Sequence, residues 1–387
     1  MHITKLALED FRIYPELQME FSQGLTIVVG PNASGKTSLL EAIHLLATTK
    51  SPRTHRDREL VRCGAPCSRL QGQFTSTQQQ TTSISIVLPG EPAGAAEETP
   101  TAKQVKLDGT AITSVSQMIG RVPVVMFSSE DLNIVKGSPG YRRRFLNVAT
   151  AQLRPRYLDD LQRYRRALRQ RNEVLKLIRH AEASRSSLGP WDTQLIETGA
   201  ALAADRQELT ATLSEAAGTV HEGLTAGGER LELRYQGDLA DSDDQEMGRE
   251  RFAELLARNE ARDIEYGYTT VGVHRDDFAM AVNGAALRRY GSQGQQRTAA
   301  LSLKLAQAQV VRAWREEPPL LLLDDCLSEL DISRGDRVLE LVEDLQGLIV
   351  TSPVLNETLA ARTDAEFFGV VDGKVEQITP RGGQAIR

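Results

Sequence analysis

The residues with the clearest chemistry lie in the octapeptide GPNASGKT at positions 30–37. Its glycines, lysine and threonine have the spacing of a phosphate-binding loop, in which backbone N–H groups turn inward around anionic oxygens. We predict that Lys36 contacts the β- and γ-phosphates of a nucleoside triphosphate and that the Thr37 hydroxyl binds magnesium. The alternative is a glycine turn that binds nothing. The predicted loop residues are Gly30, Pro31, Asn32, Ala33, Ser34, Gly35, Lys36 and Thr37.

Two adjacent carboxylates follow an apolar run in PPLLLLDD, residues 318–325. An apolar run that ends in acids is typical of a buried parallel strand with carboxylates at its C-terminal end. We expect Asp324 to hold magnesium together with Thr37. Asp325 would then face the γ-phosphate and orient or deprotonate the attacking water. The alternative is a helix N-cap after a core strand.

A third element, YGSQGQQRT, begins at Tyr290. Gly291, Ser292 and Gly294 open a helix, and a helix start rich in serine and glycine is a second anion site. One nucleotide does not need two such sites from one chain. A head-to-tail pair of chains would need both sites, because each chain would offer its second helix start to the γ-phosphate bound by the other chain. A plain N-terminal helix turn is the alternative.

The surrounding pattern predicts the elements that position these residues. Residues 25–29 form a buried strand, and residues 38–47 form the helix that follows the loop. Alternating apolar residues predict further strands near 3–8 and 17–21, so this part is an α/β head. Residues 90–104 are predicted to be a flexible insertion. Turns are expected at Asp108-Gly109 and Asn283-Gly284.

The middle of the chain changes to helical periodicity. Apolar residues with coiled-coil spacing over 141–181 predict one helix of about 40 residues and about 60 Å. Residues 184–190 break it, and a second helix over 191–222 would return antiparallel. We therefore expect a head made of residues 1–135 and 266–387, with a helical lid or arm inserted at 136–265.

Composition limits the other possibilities. The chain has 387 residues, 40% hydrophobic and 25% charged, which fits a globular protein of about two domains. It has no apolar run of about 18 residues and no signal-peptide core, so we expect a cytosolic protein without a membrane partner. Its three cysteines, Cys63, Cys67 and Cys326, do not complete a zinc set and are expected to be reduced thiols.

Together, GPNASGKT, GSQGQQRT and LLLLDDCLSELD resemble the Walker A, signature, and Walker B with D-loop sequences of the SMC, Rad50 and RecF class of ABC-type ATPase heads. Further stretches in the same order narrow the resemblance to the RecF family, over nearly the whole chain. Those stretches are LALEDFRIYPELQMEF, KSPRTHRDRELVRCG, MFSSEDLNIVKGSPGYRRRFLN and VGVHRDDFAMAVNG. The predicted arm is too short to supply the long coiled coil of SMC and Rad50.

The resemblance implies a protein that binds ATP and magnesium, dimerises with ATP, binds double-stranded and gapped DNA, and hydrolyses ATP weakly in a DNA-dependent way. The family acts in DNA replication and recombinational repair, where it helps RecR and RecO load the RecA strand-exchange protein. By matching position, the residues that contact the partner chain's ATP would be Ser292, Gly294 and Gln295. The D-loop at the dimer interface would contain Ser328 and Asp331. Arg12 would lie near the nucleotide.

Two positions depart from the general pattern of ABC-type heads. Asp325 stands where many heads carry glutamate, and its shorter side chain predicts slow hydrolysis. The usual switch histidine is replaced by Thr351 or Ser352. The glutamine that normally touches magnesium has no clear equivalent near 127–130.

A DNA surface is predicted from charge alone. Residues 142–180 contain twelve Lys or Arg and three Asp or Glu, a local net charge of +9, although the whole chain carries −6. Guanidinium groups along a rigid helix can follow phosphates without reading bases. A solvated helix paired with the acidic residues of 238–265 is the alternative. The predicted DNA contacts are Arg142, Arg143, Arg163, Arg166 and Arg169.

Other functions remain open from the sequence. The chain could be a structural clamp in which ATP binding matters and turnover is incidental. It could also be a P-loop kinase of small molecules, which would need a substrate pocket near the nucleotide and little use for SQGQQ. The polar cluster at residues 274–277 either binds a ligand or forms caps and ion pairs.

Overall fold

A computed structural model describes residues 1–90, 102–240, 242, 244–328 and 330–379. The insertion predicted at 90–104 falls mostly on residues 91–101, outside this part. The strands are β1 (His2–Phe11), β2 (Tyr14–Glu20), β3 (Gly24–Val29), β4 (Cys67–Thr75), β5 (Thr81–Pro89), β6 (Gln104–Leu107), β7 (Thr110–Ala111), β8 (Val124–Phe127), β9 (Leu231–Gln236), β10 (Asp277–Val282), β11 (Ala285–Ala286), β12 (Leu320–Asp324), β13 (Gly347–Ser352), β14 (Glu366–Val371) and β15 (Lys374–Gln377).

The α-helices are longest in the middle of the chain. They are α1 (Lys36–Thr48), α2 (Leu132–Lys136), α3 (Pro139–Leu153), α4 (Pro155–Arg179), α5 (Gly189–Leu224), α6 (Gln245–Tyr266), α7 (Leu287–Tyr290), α8 (Gln293–Arg315), α9 (Ile332–Leu341) and α10 (Glu357–Ala360). In the middle of the chain, α2 to α5 follow one another without a strand between them. No helix of the described part is long and apolar enough to cross a bilayer.

The described residues form two compact units. The first unit draws on Met1–Leu132, Glu222–Gly228 and Leu301–Arg387, and the second on Asn133–His221 and Glu229–Ala300. This division differs from the predicted boundaries, because residues 266–300 group with the helical part and not with the head. The reason is strand pairing: β10 pairs antiparallel with β9 along its whole length.

The first unit contains two sheets. One is antiparallel, with the order β2-β1-β4-β5-β6-β7. The other has the order β15-β14-β3-β13-β12-β8, and its strands are parallel except for β15. Its central strands are nearly continuous apolar runs, as expected for strands covered on both faces. Side chains from both sheets join those of α1 in one buried core.

The second unit is mainly helical and carries the sheet β11-β10-β9.

The predicted turns at Asp108-Gly109 and Asn283-Gly284 are confirmed, and all four residues have positive φ, as tight hairpin turns require. The predicted antiparallel pairing of the arm helices is also confirmed. Contacts run in opposite directions along α4 and α5, from Arg154 with Asp205 to Arg171 with Asp192.

The predicted single helix over 141–181 is wrong. The chain forms α3 and then α4, separated by Arg154, whose φ of −126° and ψ of 94° are extended. Pro155 explains the break, because it disfavours helical geometry in the residue before it and is well placed as the first residue of a new helix. The α4 helix of 25 residues is about 38 Å long.

Candidate nucleotide-binding site

The candidate site lies at the C-terminal edge of the parallel sheet in the first unit. The predicted phosphate-binding loop connects β3 to α1, and β13 lies between β3 and β12. This order brings the loop close to the end of β12, where the two predicted carboxylates stand. Ligands of open α/β sheets bind at this edge.

Two glycines of the loop are required by its close surroundings. A Cβ at Gly30 would lie 2.1 Å from the carbonyl oxygen of Val370. Gly35 has a φ of +118°, and a Cβ there would lie 2.6 Å from the Tyr14 hydroxyl oxygen. The Tyr14 hydroxyl donates a hydrogen bond to the Gly35 carbonyl at 3.0 Å and is buried, which raises its pKa. Nothing in the sequence singles out Tyr14 for this contact.

The loop contains a buried cation. The Lys36 ammonium donates to the carbonyl oxygens of Gly30 at 2.6 Å and Pro31 at 2.8 Å. Burial lowers the pKa of Lys36, and the carboxylates of Asp325 and Asp324 oppose that shift. The ammonium therefore lies within the electrostatic reach of both carboxylates.

The loop also contains a buried hydroxyl with no hydrogen-bond partner among the described residues, that of Ser34. Buried hydroxyls normally have partners. The neighbouring Ala33 has a φ of 65°, so the loop passes through the left-handed region. A buried ammonium and an unpaired hydroxyl in a glycine loop at a helix N-terminus fit the oxygens of a polyphosphate.

Asp324 lies at the centre of a hydroxyl cluster. Its Oδ1 accepts hydrogen bonds from the hydroxyls of Thr37 at 3.1 Å and Thr351 at 2.8 Å. Burial raises the pKa of Asp324, and the hydrogen bonds from Thr351 and Thr37 oppose the rise. Thr37 and Asp324, which we expect to hold magnesium together, are therefore in direct contact.

This cluster fits magnesium bound together with a nucleotide. The described residues contain no group of three or more His, Cys, Asp and Glu side chains that could hold a metal alone. Magnesium usually keeps several waters and takes one or two carboxylates together with substrate phosphates. One carboxylate at Asp324 and one hydroxyl at Thr37 match that requirement.

Asp325 has a different environment. Its φ is +50°, and its backbone N–H donates to the Thr351 hydroxyl at 3.0 Å. Its Oδ1 accepts a hydrogen bond from the Ser328 hydroxyl at 2.5 Å. Thr351 therefore connects the two adjacent acids, which gives a structural role to one of the two residues predicted to replace the usual switch histidine.

The predicted D-loop residues have contacts within the chain. Ser328 donates its hydroxyl hydrogen bond to the Asp325 carboxylate. Asp331 caps α9, since its Oδ1 accepts from the Arg334 backbone N–H at 3.0 Å and from the Ser333 hydroxyl at 2.7 Å.

Arg12 lies beside the helix that follows the loop. Its Nε and Nη2 donate to the two carboxylate oxygens of Glu41 in α1, at 3.0 and 2.9 Å, and its Nη1 donates to the Glu59 carbonyl. Glu41 is fully buried and also accepts from the Ser51 hydroxyl at 2.5 Å. In this structure Arg12 therefore anchors α1 through Glu41.

The predicted signature lies in the second unit and forms a capping box. The Gln295 backbone N–H donates to the Ser292 hydroxyl at 3.2 Å, and the Ser292 backbone N–H donates to the Gln295 side chain at 2.9 Å. The Gln295 side chain also donates to Glu229 at 2.8 Å, and Glu229 lies 3.3 Å from His221 Nε2. Ser292 and Gly294 are exposed at the helix start.

The predicted DNA contacts divide into two groups. Arg142 is wrong as a phosphate contact, because its guanidinium is buried, forms a bidentate pair with Asp277, and donates to the carbonyls of Ile134 and Gly137. Arg143 is half-buried and donates to the Asp276 carbonyl at 2.8 Å. The other three arginines are exposed. Arg163 lies 3.6 Å from Asp160 and 3.9 Å from Glu197. Arg166 and Arg169 form no ion pair with any described residue.

In the polar cluster at residues 274–277, Asp276 is buried, His274 and Asp277 are half-buried, and Arg275 is exposed. Asp276 accepts from Arg206 and from the Tyr235 hydroxyl, and Asp277 pairs with Arg142. His274 Nδ1 lies 2.8 Å from the Tyr164 hydroxyl, and burial lowers the pKa of His274 to about 4. Hydrogen bonds and ion pairs within the unit therefore account for His274, Asp276 and Asp277.

Among the described residues, Cys63, Cys67 and Cys326 form no disulfide. Residues 127–130 at the end of β8 are Phe127, Ser128, Ser129 and Glu130, with no glutamine among them. Ser128 instead forms a capping box with Asp131 there.

Comparison with known proteins extends these observations. Residues 2–374 match the family described as RecF/RecN/SMC N terminal domain. The chain is 37% identical over 378 residues to the DNA replication and repair protein RecF of Lachnoclostridium phytofermentans, covering 97% of this chain and 100% of that protein. It is 38% identical over 385 residues to the protein of that name from Bacillus cytotoxicus, covering 98% and 100%.

Solved structures agree with the sequence relatives. A structure described as the recombination mediator protein RecF-ATP in the RecFOR pathway has a TM-score of 0.86 at 29% identity, with 98% of each chain covered. An Smc head domain from Pyrococcus furiosus has a TM-score of 0.56 at 16% identity, covering 97% of this chain and 96% of that one, and supports the fold alone. The predicted ABC-type ATPase head fold is confirmed, and the chain belongs to the RecF family within the RecF/RecN/SMC class.

Proposed function

We propose that this protein binds DNA in an ATP-dependent way and hydrolyses ATP slowly as a DNA-stimulated ATPase. The observation that carries the proposal is the contact of Thr37 and Thr351 with Asp324 beside the buried ammonium of Lys36. This arrangement combines the two halves of a magnesium-nucleotide site that are 288 positions apart (324 − 36) in the sequence.

The residues of the first unit have separate tasks in this proposal. Residues 30–37 hold the phosphates, with Lys36 turning from its own loop carbonyls to the β- and γ-phosphates. Thr37 and Asp324 would hold magnesium, which would neutralise charge that develops on the phosphates. Asp325 orients the attacking water and accepts its proton. Ser328 positions the Asp325 carboxylate for that task.

A second copy of the chain completes the site. Ser292 and Gly294 stand exposed at a helix start, where backbone N–H groups and the helix dipole favour an anion. We assign the partner's γ-phosphate to this helix start, with Gln295 and Glu229 keeping it in shape. Asp331 would lie at the same dimer interface. ATP would hold the dimer together, and hydrolysis would release it.

The proposed DNA surface is narrower than the basic stretch as a whole. Arg166 and Arg169 are exposed and free of ion pairs to described residues, so they can contact phosphates without first breaking a pair. The relatives named RecF act in DNA replication and repair, which supports double-stranded and gapped DNA as ligands. The proposed protein partners are RecR and RecO, and the proposed outcome of their joint action is the loading of RecA. The proposed location is the cytoplasm.

The test is nucleotide-dependent DNA binding. Fluorescence anisotropy of a labelled duplex is measured with magnesium and ATP, and without ATP, for the parent and for Lys36→Met. We expect binding that needs ATP and is lost in the variant. The matched control is Lys106→Met, which removes an exposed lysine in β6. Full ATP-stimulated binding by Lys36→Met would refute the proposal.

ATPase measurements on the same protein distinguish the proposed function from that of a small-molecule kinase. A DNA-dependent ATPase that works as a dimer should hydrolyse ATP faster when duplex DNA is added, and its specific activity should rise with protein concentration. A small-molecule kinase should show neither effect. A structural clamp should bind DNA with ATP, and its turnover should not respond to DNA.

A further inference from the structure

Two tyrosines are displayed side by side at the C-terminal end of α6. Tyr266 and Tyr268 are 42% and 46% exposed. Their ring centroids are 5.7 Å apart with an interplanar angle of 26°, so the rings are stacked on each other. Aromatic rings are normally buried for their apolar area. A stacked pair left open to solvent therefore presents a flat π surface.

The backbone holds this pair in place. Gly267, between the two tyrosines, has a φ of +73° and ends α6 by donating its N–H to the Asp263 carbonyl at 2.8 Å. The Asp263 carboxylate is fully buried, and it accepts from Thr270 and from Arg171 of α4. A turn fixed on both sides by buried polar contacts displays its side chains at low entropic cost.

Basic side chains lie beside this turn. The Arg262 guanidinium lies 5.4 Å from the centroid of the Tyr266 ring, a cation–π distance. A Cβ at Gly267 would lie 3.2 Å from Arg179 Nη1 and 3.3 Å from Lys176 Cγ, so the basic end of α4 borders the same turn. Lys176 also pairs with Glu173 at 2.8 Å, which moderates the local charge.

We propose that Tyr266 and Tyr268 form a stacking site for unpaired bases of single-stranded DNA. Arg262 covers Tyr266, and the exposed ring of Tyr268 offers the next face to a base. Arg179 and Lys176 contact the phosphates on either side. Stacked aromatic rings combined with cations are the chemistry that binds single strands without sequence preference. A duplex does not fit this surface, because its bases are already stacked on one another.

This site rests on the proposed function only for its ligand class, DNA, and it acts without ATP. Its residues all lie in the second unit and belong neither to the phosphate-binding loop nor to the signature. A protein that binds duplex DNA with ATP and bases through the tyrosines would engage both parts of a gapped substrate.

The experiment measures anisotropy of a labelled oligothymidylate of about 20 nucleotides at low salt and without ATP. We compare the parent with Tyr268→Ala, Tyr268→Phe and the double variant Tyr266→Ala with Tyr268→Ala. Loss of one stacked base should weaken affinity about 5- to 140-fold, which is about 1–3 kcal/mol at 1.4 kcal/mol per tenfold. Tyr268→Phe keeps the ring and should bind like the parent.

The matched control is Tyr141→Ala, which removes a tyrosine of α3 that is 45% exposed. It should leave single-strand binding unchanged. All variants should retain ATP-dependent duplex binding, so a failure of this site is distinguishable from a failure of the proposed function. The proposal is overturned if the double variant binds the oligothymidylate like the parent, or if Tyr268→Phe loses as much affinity as Tyr268→Ala.

Discussion

Thr351 offers a sharp test of the magnesium-nucleotide site, because one fully buried hydroxyl serves both acids. It donates to Asp324 at 2.8 Å and accepts from the Asp325 N–H at 3.0 Å. Thr351→Val keeps the shape and removes both contacts. Thr351→Ser keeps the hydroxyl and removes only a methyl group.

The two lost contacts have separate costs. A hydrogen bond to a charged group contributes about 1.5–3 kcal/mol, and an unsatisfied buried N–H costs about 1–3 kcal/mol. The first loss leaves the Thr37 hydroxyl as the remaining hydrogen-bond donor to the Asp324 carboxylate within the described part of the chain. It also raises further the pKa of Asp324, which burial already raises. Since magnesium needs the ionised carboxylate, we expect magnesium-ATP affinity to fall about 10- to 100-fold. The second loss should lower the stability of the free protein.

The assay is titration with a fluorescent ATP analogue, with magnesium and with a chelator, across a range of pH. A proton competes with magnesium for Asp324, so binding should weaken as pH falls through the pKa of this carboxyl group. Thr351→Val should move that loss to higher pH, and Thr351→Ser should stay close to the parent. Unchanged magnesium-ATP affinity in Thr351→Val, or equal damage in Thr351→Ser, would refute the reasoning.

Four further predictions concern other variants. Asp325→Asn should bind ATP normally, hydrolyse it at least tenfold more slowly, and persist on DNA, as followed by phosphate release and dissociation kinetics. Asp324→Asn should weaken magnesium-ATP binding but raise the Tm of the nucleotide-free protein. A carboxyl group whose folded pKa is raised loses stability as pH increases above its unfolded pKa, and asparagine removes that loss. Replacing Arg166 and Arg169 by Ala should flatten the plot of log duplex affinity against log salt by up to about two units. Arg142→Ala should instead cost about 3–5 kcal/mol of stability in denaturant melts, because it leaves Asp277 without its bidentate partner.

The positions of the phosphate-binding loop and of the two acids were predictable because each depends on a short motif. The loop at 30–37 and the acids after the leucine run of β12 are each specified by neighbouring residues, and parallel strand order then brings them together. The role of Thr351 was less accessible, because a threonine at the end of an apolar strand has no distinguishing pattern. Its contacts appear only when β13 lies between β3 and β12.

In the second unit, by contrast, the positions of several arginines could not be predicted from the sequence. Arg142 carries a charge that the sequence assigns to the surface, yet its partner Asp277 is 135 positions away. Arg171 and Arg206 are fully buried for the same reason, since their acidic partners come from other helices and loops. Composition within one stretch cannot distinguish a solvated arginine from one that is paired with distant acids. The break before Pro155, by contrast, has a local cause that the residue itself signals.

The central claim is that ATP closes two copies of the chain around shared phosphates. Light scattering after size exclusion measures this directly, with and without ATP and duplex DNA, for the parent, Ser292→Arg and Ser292→Ala. The parent should change from a monomer of 42.6 kDa to a dimer only with ATP. Ser292→Arg should bind ATP and remain monomeric, because it places bulk at an exposed helix start. Ser292→Ala, which loses the cap but adds no bulk, should still dimerise. A parent mass that does not respond to ATP, or ATP-dependent dimers of Ser292→Arg like those of the parent, would contradict the account.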